Sequence, residues 1–205
     1  EACVDQVVAQ AGETVLLSSA RNAYTVKRAK RMVKRTVWAL QFQLRQGRFL
    51  PALTEWAFGP WDNISSLDLR LSPEEILHLT GRIDRIDLCR EEGKVYVKVI
   101  DYKSGNTQLD PVKMYYGLQL QLALYLNAAV ELEQRRFPKE EIVPAGIFYY
   151  NIKDPVLNRE DVKDPEHPDR EILKKLKMDG LAGGEPEILE RLDKDLALRK
   201  SVESL

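Results

Sequence analysis

The chain has 205 residues, 44% of them hydrophobic and 31% charged, which is enough apolar content for a substantial folded domain and too much for a disordered tail. No apolar run approaches the roughly 20 residues of a membrane span, and the opening EACVDQVVAQAGE lacks the basic-then-apolar order of a secretion signal, so a soluble cytoplasmic protein is expected. The net charge of −1 conceals an asymmetry, because residues 1–50 hold nine Lys/Arg against three Asp/Glu.

From Thr14 to Gln46 the apolar residues Tyr24, Met32, Val33, Val37, Leu40 and Leu44 recur at three- and four-residue steps, and Gly47 stands near the stop; one long helix or a broken pair is expected. Its densest section, KRAKRMVKR from Lys27 to Arg35, has six basic residues in nine. Such a run fits a nucleic-acid contact or a solvated helix face equally well. Residues 53–58 (LTEWAF) and 65–71 (SSLDLRL) alternate as strands, separated by a turn at Gly59-Pro60-Trp61-Asp62-Asn63.

A hairpin is expected from Leu77 to Lys103, turning at Glu92-Gly93, which places residues whose numbers sum to 185 opposite one another. Asp84 then faces Asp101. Strand alternation puts Asp84 on a face with Ile86 and Leu88, and Asp101 and Lys103 on a face with Val95, Val97 and Val99. Directly opposed side chains have Cβ atoms about 4.5–5.5 Å apart, where two carboxylates repel. A divalent cation such as Mg²⁺ is the economical partner, since it takes oxygen ligands from one or two carboxylates and keeps positions for water and phosphate. The plainer alternative is a pair of strand-end acids with Arg82, Arg85 and Lys103 as salt-bridge partners.

Asp110-Pro111 opens a helix expected to run to Gln134, proline being favoured at the first helical position. Leu118, Gln121, Leu122, Tyr125 and Ala129 would form one stripe of it, with Gln121 and Tyr125 spaced i, i+4. Residues 145–152 (AGIFYYNI) read as a further strand, reached after a helix and so parallel to an earlier one. Residues 153–205 are set apart as a charged, proline-bearing surface loop and a terminal helix in ILERLDKDLALRK. Cys3 and Cys89 have no Cys-x-x-Cys spacing, which argues against a zinc site or disulfide framework and leaves two free thiols. No phosphate-binding G-x-x-x-x-G-K-[ST] loop occurs and the first residue is Glu, so a piece of a larger protein is expected.

GRIDRID (81–87), VIDYKSG (99–105) and YYGLQLQLALYL (115–126), in this order and spacing, resemble the RecB-like branch of the PD-(D/E)XK nuclease superfamily, nearest the AddB-type subunits of bacterial helicase–nuclease complexes. The resemblance runs from Leu16 to Ile152. It implies an α/β fold with a restriction-endonuclease-like core, a mixed central sheet flanked by helices, over residues 1–152. Asp84 matches the family's first carboxylate, Asp101 and Lys103 its D-x-K pair, and Gln121 with Tyr125 its Q-x-x-x-Y helix motif. Glu55 is a weaker match to an upstream acid that would add a third metal ligand. Mg²⁺ or Mn²⁺ is the implied cofactor, and DNA and a helicase partner subunit are the implied partners. The implied activity is exonucleolytic hydrolysis of phosphodiester bonds at DNA ends, in double-strand-break repair by recombination.

Two features of the family pattern are missing. Relatives place a histidine ligand on an upstream helix, and His78, six residues before Asp84, would lie about 20 Å away along a straight strand; His167 fits no better. Relatives also hold an iron–sulfur cluster with four cysteines, which neither Cys3 nor Cys89 matches. A weak or inactive fragment is therefore expected. The alternatives are a nuclease-like module that only binds DNA or a helicase subunit, and a glycosidase using two carboxylates about 5–9.5 Å apart, which the adjacent lysine disfavours.

Overall fold

A computed structural model describes residues 2–10, 19–59, 68–70, 72–158 and 168–194. The chain divides into two compact units, one from 1–42 with 151–177 and the other from 43–150 with 178–205.

In the first unit, α1 is Ala2–Gln10, and α2, Ala20–Gln46, begins there and runs on into residues of the second. Only its part from Ala20 falls within the described stretch of the expected 14–46 helix, residues 11–18 lying outside it. The basic run is partly neutralised within the unit: Lys30 pairs with Asp5, and Arg31 and Arg35 both pair with Asp154, whose side chain is only 4% exposed. Lys27, Arg28 and Lys34 are exposed. So are Tyr24, Val33 and Val37, three members of the apolar stripe. A short helix, Pro168–Lys175 (α5 in chain order), completes the unit.

The second unit is built on a five-stranded sheet. Its strands are β1 (Leu50–Phe58), β4 (Gly81–Glu91), β5 (Lys94–Lys103), β6 (Glu141–Asn151) and β7 (Asp179–Ala182), in that spatial order. β2 (Asp68–Arg70) and β3 (Ile76–His78) form a separate two-stranded ribbon. The central hairpin therefore starts at Gly81 rather than Leu77. His78 belongs to the ribbon, where its Nδ1 lies 2.7 Å from Asp68. Of the strand expected at 65–71, Asp68–Arg70 is strand, and 65–67 and 71 lie outside the described residues.

The hairpin register is the expected one, from Glu91 opposite Lys94 to Arg85 opposite Ile100. Its turn works because Glu92 and Gly93 both take positive φ, 55° and 79°, as a two-residue turn matched to strand twist requires. β6 lies beside β5, and the Glu141 N–H donates to the Gly93 carbonyl at 3.0 Å. The two strands start side by side and run parallel, joined by a helical crossover, so the sheet is mixed and the expected α/β architecture is present. Pro51 is accommodated because β1 is an edge strand and its register shifts between Pro51 and Leu53.

The expected helix 111–134 is two helices, α3 (Pro111–Tyr115) and α4 (Gln121–Arg136). Gly117 breaks it. At φ +75° Gly117 donates its N–H to Met114 and Leu118 donates to Lys113, the paired bonds that close a helix C-terminus. Leu118 consequently stands outside α4 and is exposed.

Two apolar layers hold the sheet. On one face Ile86, Val97 and Val99 pack with Leu122, Ala128 and Ala129 of α4. On the other, Cys89, Tyr96 and Phe49 pack with Ile188 of α6 (Pro186–Leu192). Each fully buried Val or Leu contributes about 1.5–3 kcal/mol relative to exposure. β7 and α6 both come from the stretch set apart by sequence as an extension. DGLA is too short and glycine-rich to display strand alternation, yet it adds to the sheet edge and its Asp179 accepts the Leu109 N–H at 2.6 Å.

Candidate active site

The site forms where the β4–β5 ladder ends. Regular pairing stops at Arg85–Ile100, and the next step in register sets Asp84 opposite Asp101. There the Asp84 Oδ2 replaces a backbone acceptor, taking the Tyr102 N–H at 2.7 Å. This pins Asp84 against the strand that carries Asp101. Asp101 is 3% exposed, and its Oδ2 lies 2.6 Å from the Lys103 ammonium.

Lys103 in turn donates to the Gln121 Oε1 at 3.0 Å, and the Gln121 amide donates to the Tyr125 hydroxyl at 3.0 Å. Gln121 is the first residue of α4, so one helical turn carries it and Tyr125 over the same edge. The Tyr125 ring is fixed by an edge-on contact with Phe58 at 5.9 Å. Asp101, Lys103, Gln121 and Tyr125 thus form one continuous line of polar contacts, with Asp84 facing its first member.

Burial pushes the Asp101 carboxyl above the ordinary aspartate range; the Lys103 hydrogen bond and charge oppose this, and the neighbouring Asp84 charge adds to it. For Lys103, burial lowers the pKa, but the Asp101 hydrogen bond and charge, helped by Tyr149 and Asp84, outweigh it and the net shift is upward. The pair of acids is held with a single cation beside it. That donor set, two carboxylates in a half-open, electronegative position with the Tyr102 carbonyl between Asp101 and Lys103 in sequence, fits a hard divalent cation.

Glu55 sits in register opposite Asp84, since the pairs Thr54–Arg85 and Trp56–Ile83 flank the two. Its backbone is left-handed, φ 52°, and its exposed carboxylate takes an Arg82 N–H at 3.3 Å rather than joining the two aspartates. Among the described residues no group of three or more His, Cys, Asp or Glu gathers for a metal ion. Cys3 is exposed and Cys89 buried, so neither belongs to a thiolate cluster in that set. Arg85, read from sequence as a strand-end partner or DNA contact, is instead buried and bound to Asp87 through two bonds of 2.5 and 2.8 Å. A strand's alternation accounts for it: Arg85 stands on the opposite face from Asp84.

Sequence reasoning passed over Tyr149, a buried β6 residue whose ring lies 5.4 Å from the Lys103 ammonium. The signal was available in IFYYNI, where alternation puts one tyrosine of the pair on each face. It also passed over Gln119, whose side chain accepts the Asp110 N–H at 2.8 Å and donates to the Gln108 carbonyl at 2.9 Å, tying down the loop that follows Lys103.

A family model described as the PD-(D/E)XK nuclease superfamily matches residues 1–200. Among curated proteins, the chain is 43% identical over 193 residues to the B subunit of the ATP-dependent helicase/deoxyribonuclease of Lachnoclostridium phytofermentans, covering 94% of this chain and 15% of that protein. It is 36% identical to the protein of that name from Alkaliphilus oremlandii over 98% of the chain and 18% of the relative. For the one from Thermoanaerobacter sp. strain X514 the identity is 37%, over 94% and 17%. The chain thus spans less than a fifth of the length of these relatives.

Proposed function

Because the chain belongs to the PD-(D/E)XK nuclease superfamily, we propose that it is the nuclease domain of a helicase/deoxyribonuclease subunit, hydrolysing phosphodiester bonds at DNA ends with Mg²⁺ or Mn²⁺. The observation that carries this reading is the line from Asp101 through Lys103 and Gln121 to Tyr125, with Asp84 opposed to its first member. Asp84, Asp101 and the Tyr102 carbonyl would hold the ion. When bound, a divalent cation supplies Lewis-acid polarisation of the phosphodiester and a more acidic water.

The chain's own residues do the rest. Asp84, tied to the Tyr102 N–H, and the buried Asp101 keep two carboxylates at fixed positions, so little reorganisation is needed when a ligand arrives. The Lys103 ammonium sits beside Asp101, aimed by Gln121, and balances the negative charge that develops on phosphate oxygens in the transition state. Gln121 and Tyr125 present an amide and a hydroxyl on one helix face to position the DNA strand. Lys27, Arg28 and Lys34, exposed on α2, supply a sequence-independent phosphate contact whose affinity falls as salt rises.

The names carried by the relatives support a helicase partner subunit and a place in recombinational repair of DNA ends. An iron–sulfur cluster, if the longer protein carries one, draws its ligands from outside the described residues, since Cys3 and Cys89 do not fit it. The test is digestion of linear DNA in Mg²⁺ or Mn²⁺ by the protein and its Asp84→Ala, Asp101→Ala and Lys103→Ala variants. Each substitution should abolish metal-dependent degradation. Degradation at the wild-type rate by Asp101→Ala would leave only the alternative, a module that binds DNA without cutting it.

A further inference from the structure

The 17 residues from Ser104 to Leu120 leave the site at Lys103 and return to it at Gln121, whose side chains meet at 3.0 Å. This closed loop carries an unusual load of exposed apolar surface. Tyr115 is 84% exposed, Tyr116 71% and Leu118 76%, with Val112 close behind. Large apolar side chains left together in water mark a binding surface more often than chance placement does.

These rings are not displayed on a slack segment. Asp110 caps α3 by accepting the Val112 and Lys113 N–H groups, Gln119 clamps the loop at Gln108 and Asp110, and the Gly117 bonds close the helix immediately after Tyr116. Tyr115 and Tyr116 meet edge to face, with centroids 5.2 Å apart and planes at 83°. The fold therefore spends local order to hold two aromatic rings in solvent.

Resting on the nuclease reading above, we infer that Tyr115 and Tyr116 form a stacking ledge for unpaired bases of single-stranded DNA, delivering a frayed strand to Asp84 and Asp101. Aromatic faces exposed beside a cationic groove are how proteins hold single strands without sequence preference, because every base has a π-face. The loop's charge agrees: between Lys103 and Gln121 it carries Lys113 and one acid, Asp110, whose carboxylate is engaged as the helix cap. The reach also agrees. Gln121 follows Tyr116 by about five chain steps, a span of at most about 18 Å, or about five rises of a stacked strand at 3.4 Å each. Paired bases in a duplex hide their faces in the stack, so the ledge selects single-stranded ends over blunt duplex.

The test uses the intact protein with an oligonucleotide carrying 2-aminopurine, in EDTA so that no cleavage occurs. Tyr115→Ala/Tyr116→Ala should weaken single-strand binding by about five- to 150-fold per stacked base and restore the 2-aminopurine emission that stacking quenches. Blunt-duplex binding and the thermal midpoint should not move. Tyr→Phe at both positions should behave as wild type, since the ring and not the hydroxyl is required. Single-strand affinity within twofold of wild type in the double alanine variant would overturn the inference. So would unchanged DNA binding together with lost self-association or lost capture of a partner subunit, which would assign the rings to a protein interface. Because binding is read without metal, failure of the carboxylate assignment in the digestion assay leaves this result independent.

Discussion

Residues 82–84 and 85–87 are the same tripeptide, Arg-Ile-Asp, and the fold gives its two copies opposite work. In the second copy, Asp87 is fully buried and receives both guanidinium bonds of Arg85, and the Lys98 ammonium lies 3.0 Å from its other side. Two cations thus surround one acid in the layer behind the sheet, with Lys98 also 4.8 Å from the Phe49 ring centre. In the first copy, Arg82 is exposed and Asp84 faces Asp101 across the hairpin, so two acids share one cation, Lys103. A repeat of three along a strand whose side chains alternate every two residues sends the copies to opposite faces. Tyr102 touches both clusters, its N–H on Asp84 and its hydroxyl 3.2 Å from Arg85.

The difference is one of completeness. A buried acid whose oxygens are all matched by charged donors is a structural device. An acid pair short of positive charge, with one member raised by burial, has capacity left for a ligand.

The sharpest way to break this contrast is to neutralise one acid on each face. Asp101→Asn should cut DNA hydrolysis by about two to three orders of magnitude or more, with a thermal midpoint equal to or above wild type because one of two facing carboxylates is gone. Asp87→Ala should do the reverse. It leaves Arg85 and Lys98 buried without their acid, at a cost of about 3–5 kcal/mol, read from urea unfolding, while molecules that remain folded keep their nuclease activity.

Removing a cation from the matched cluster should cost far less. Burial pulls Lys98 below the ordinary lysine range against the pull of Asp87, so its charge is held at a penalty. Lys98→Met keeps the two-bond Arg85–Asp87 pair and should change stability by no more than about 1 kcal/mol, in either direction. Stability loss as large as that of Asp87→Ala would show that the lysine, and not the carboxylate, organises the cluster.

The pH dependence separates the faces more finely. Asp101's folded pKa lies above its unfolded value near 3.8. Without metal, protonation at Asp101 therefore favours the folded state; that contribution is full below 3.8 and is lost as pH rises through the folded pKa. Asp101→Asn should gain on wild type as pH climbs from about 4 towards neutrality, measured by paired melts. The smallest effect belongs to the solvent-facing arginine. Arg82→Ala should alter stability by about 0.5 kcal/mol or less, since its bond to Glu55 is an exposed pair.

Much of the site's layout was legible because it depends on local rules. The Glu92-Gly93 turn set the 185 register, and the register alone brought Asp84 to Asp101 and Lys103 to the same edge. The i, i+4 spacing likewise placed Gln121 with Tyr125. What escaped depended on tertiary context. Gly117 reads as a tolerable helix glycine until its positive φ ends α3, and β7 carries no period. Asp87 and Lys98 look like solvent charges in sequence, because only the fold shows that Phe49 and Tyr96 cover their face.

The account's central claim is that the open acid pair is a metal site and the closed cluster is not. Mn²⁺ titration by isothermal calorimetry at neutral pH, on wild type, Asp101→Asn and Lys98→Met, tests it most directly. The account predicts a binding isotherm for wild type, its loss in Asp101→Asn, and an unchanged isotherm in Lys98→Met. Undiminished Mn²⁺ binding by Asp101→Asn, in a protein that melts as wild type does, would contradict it.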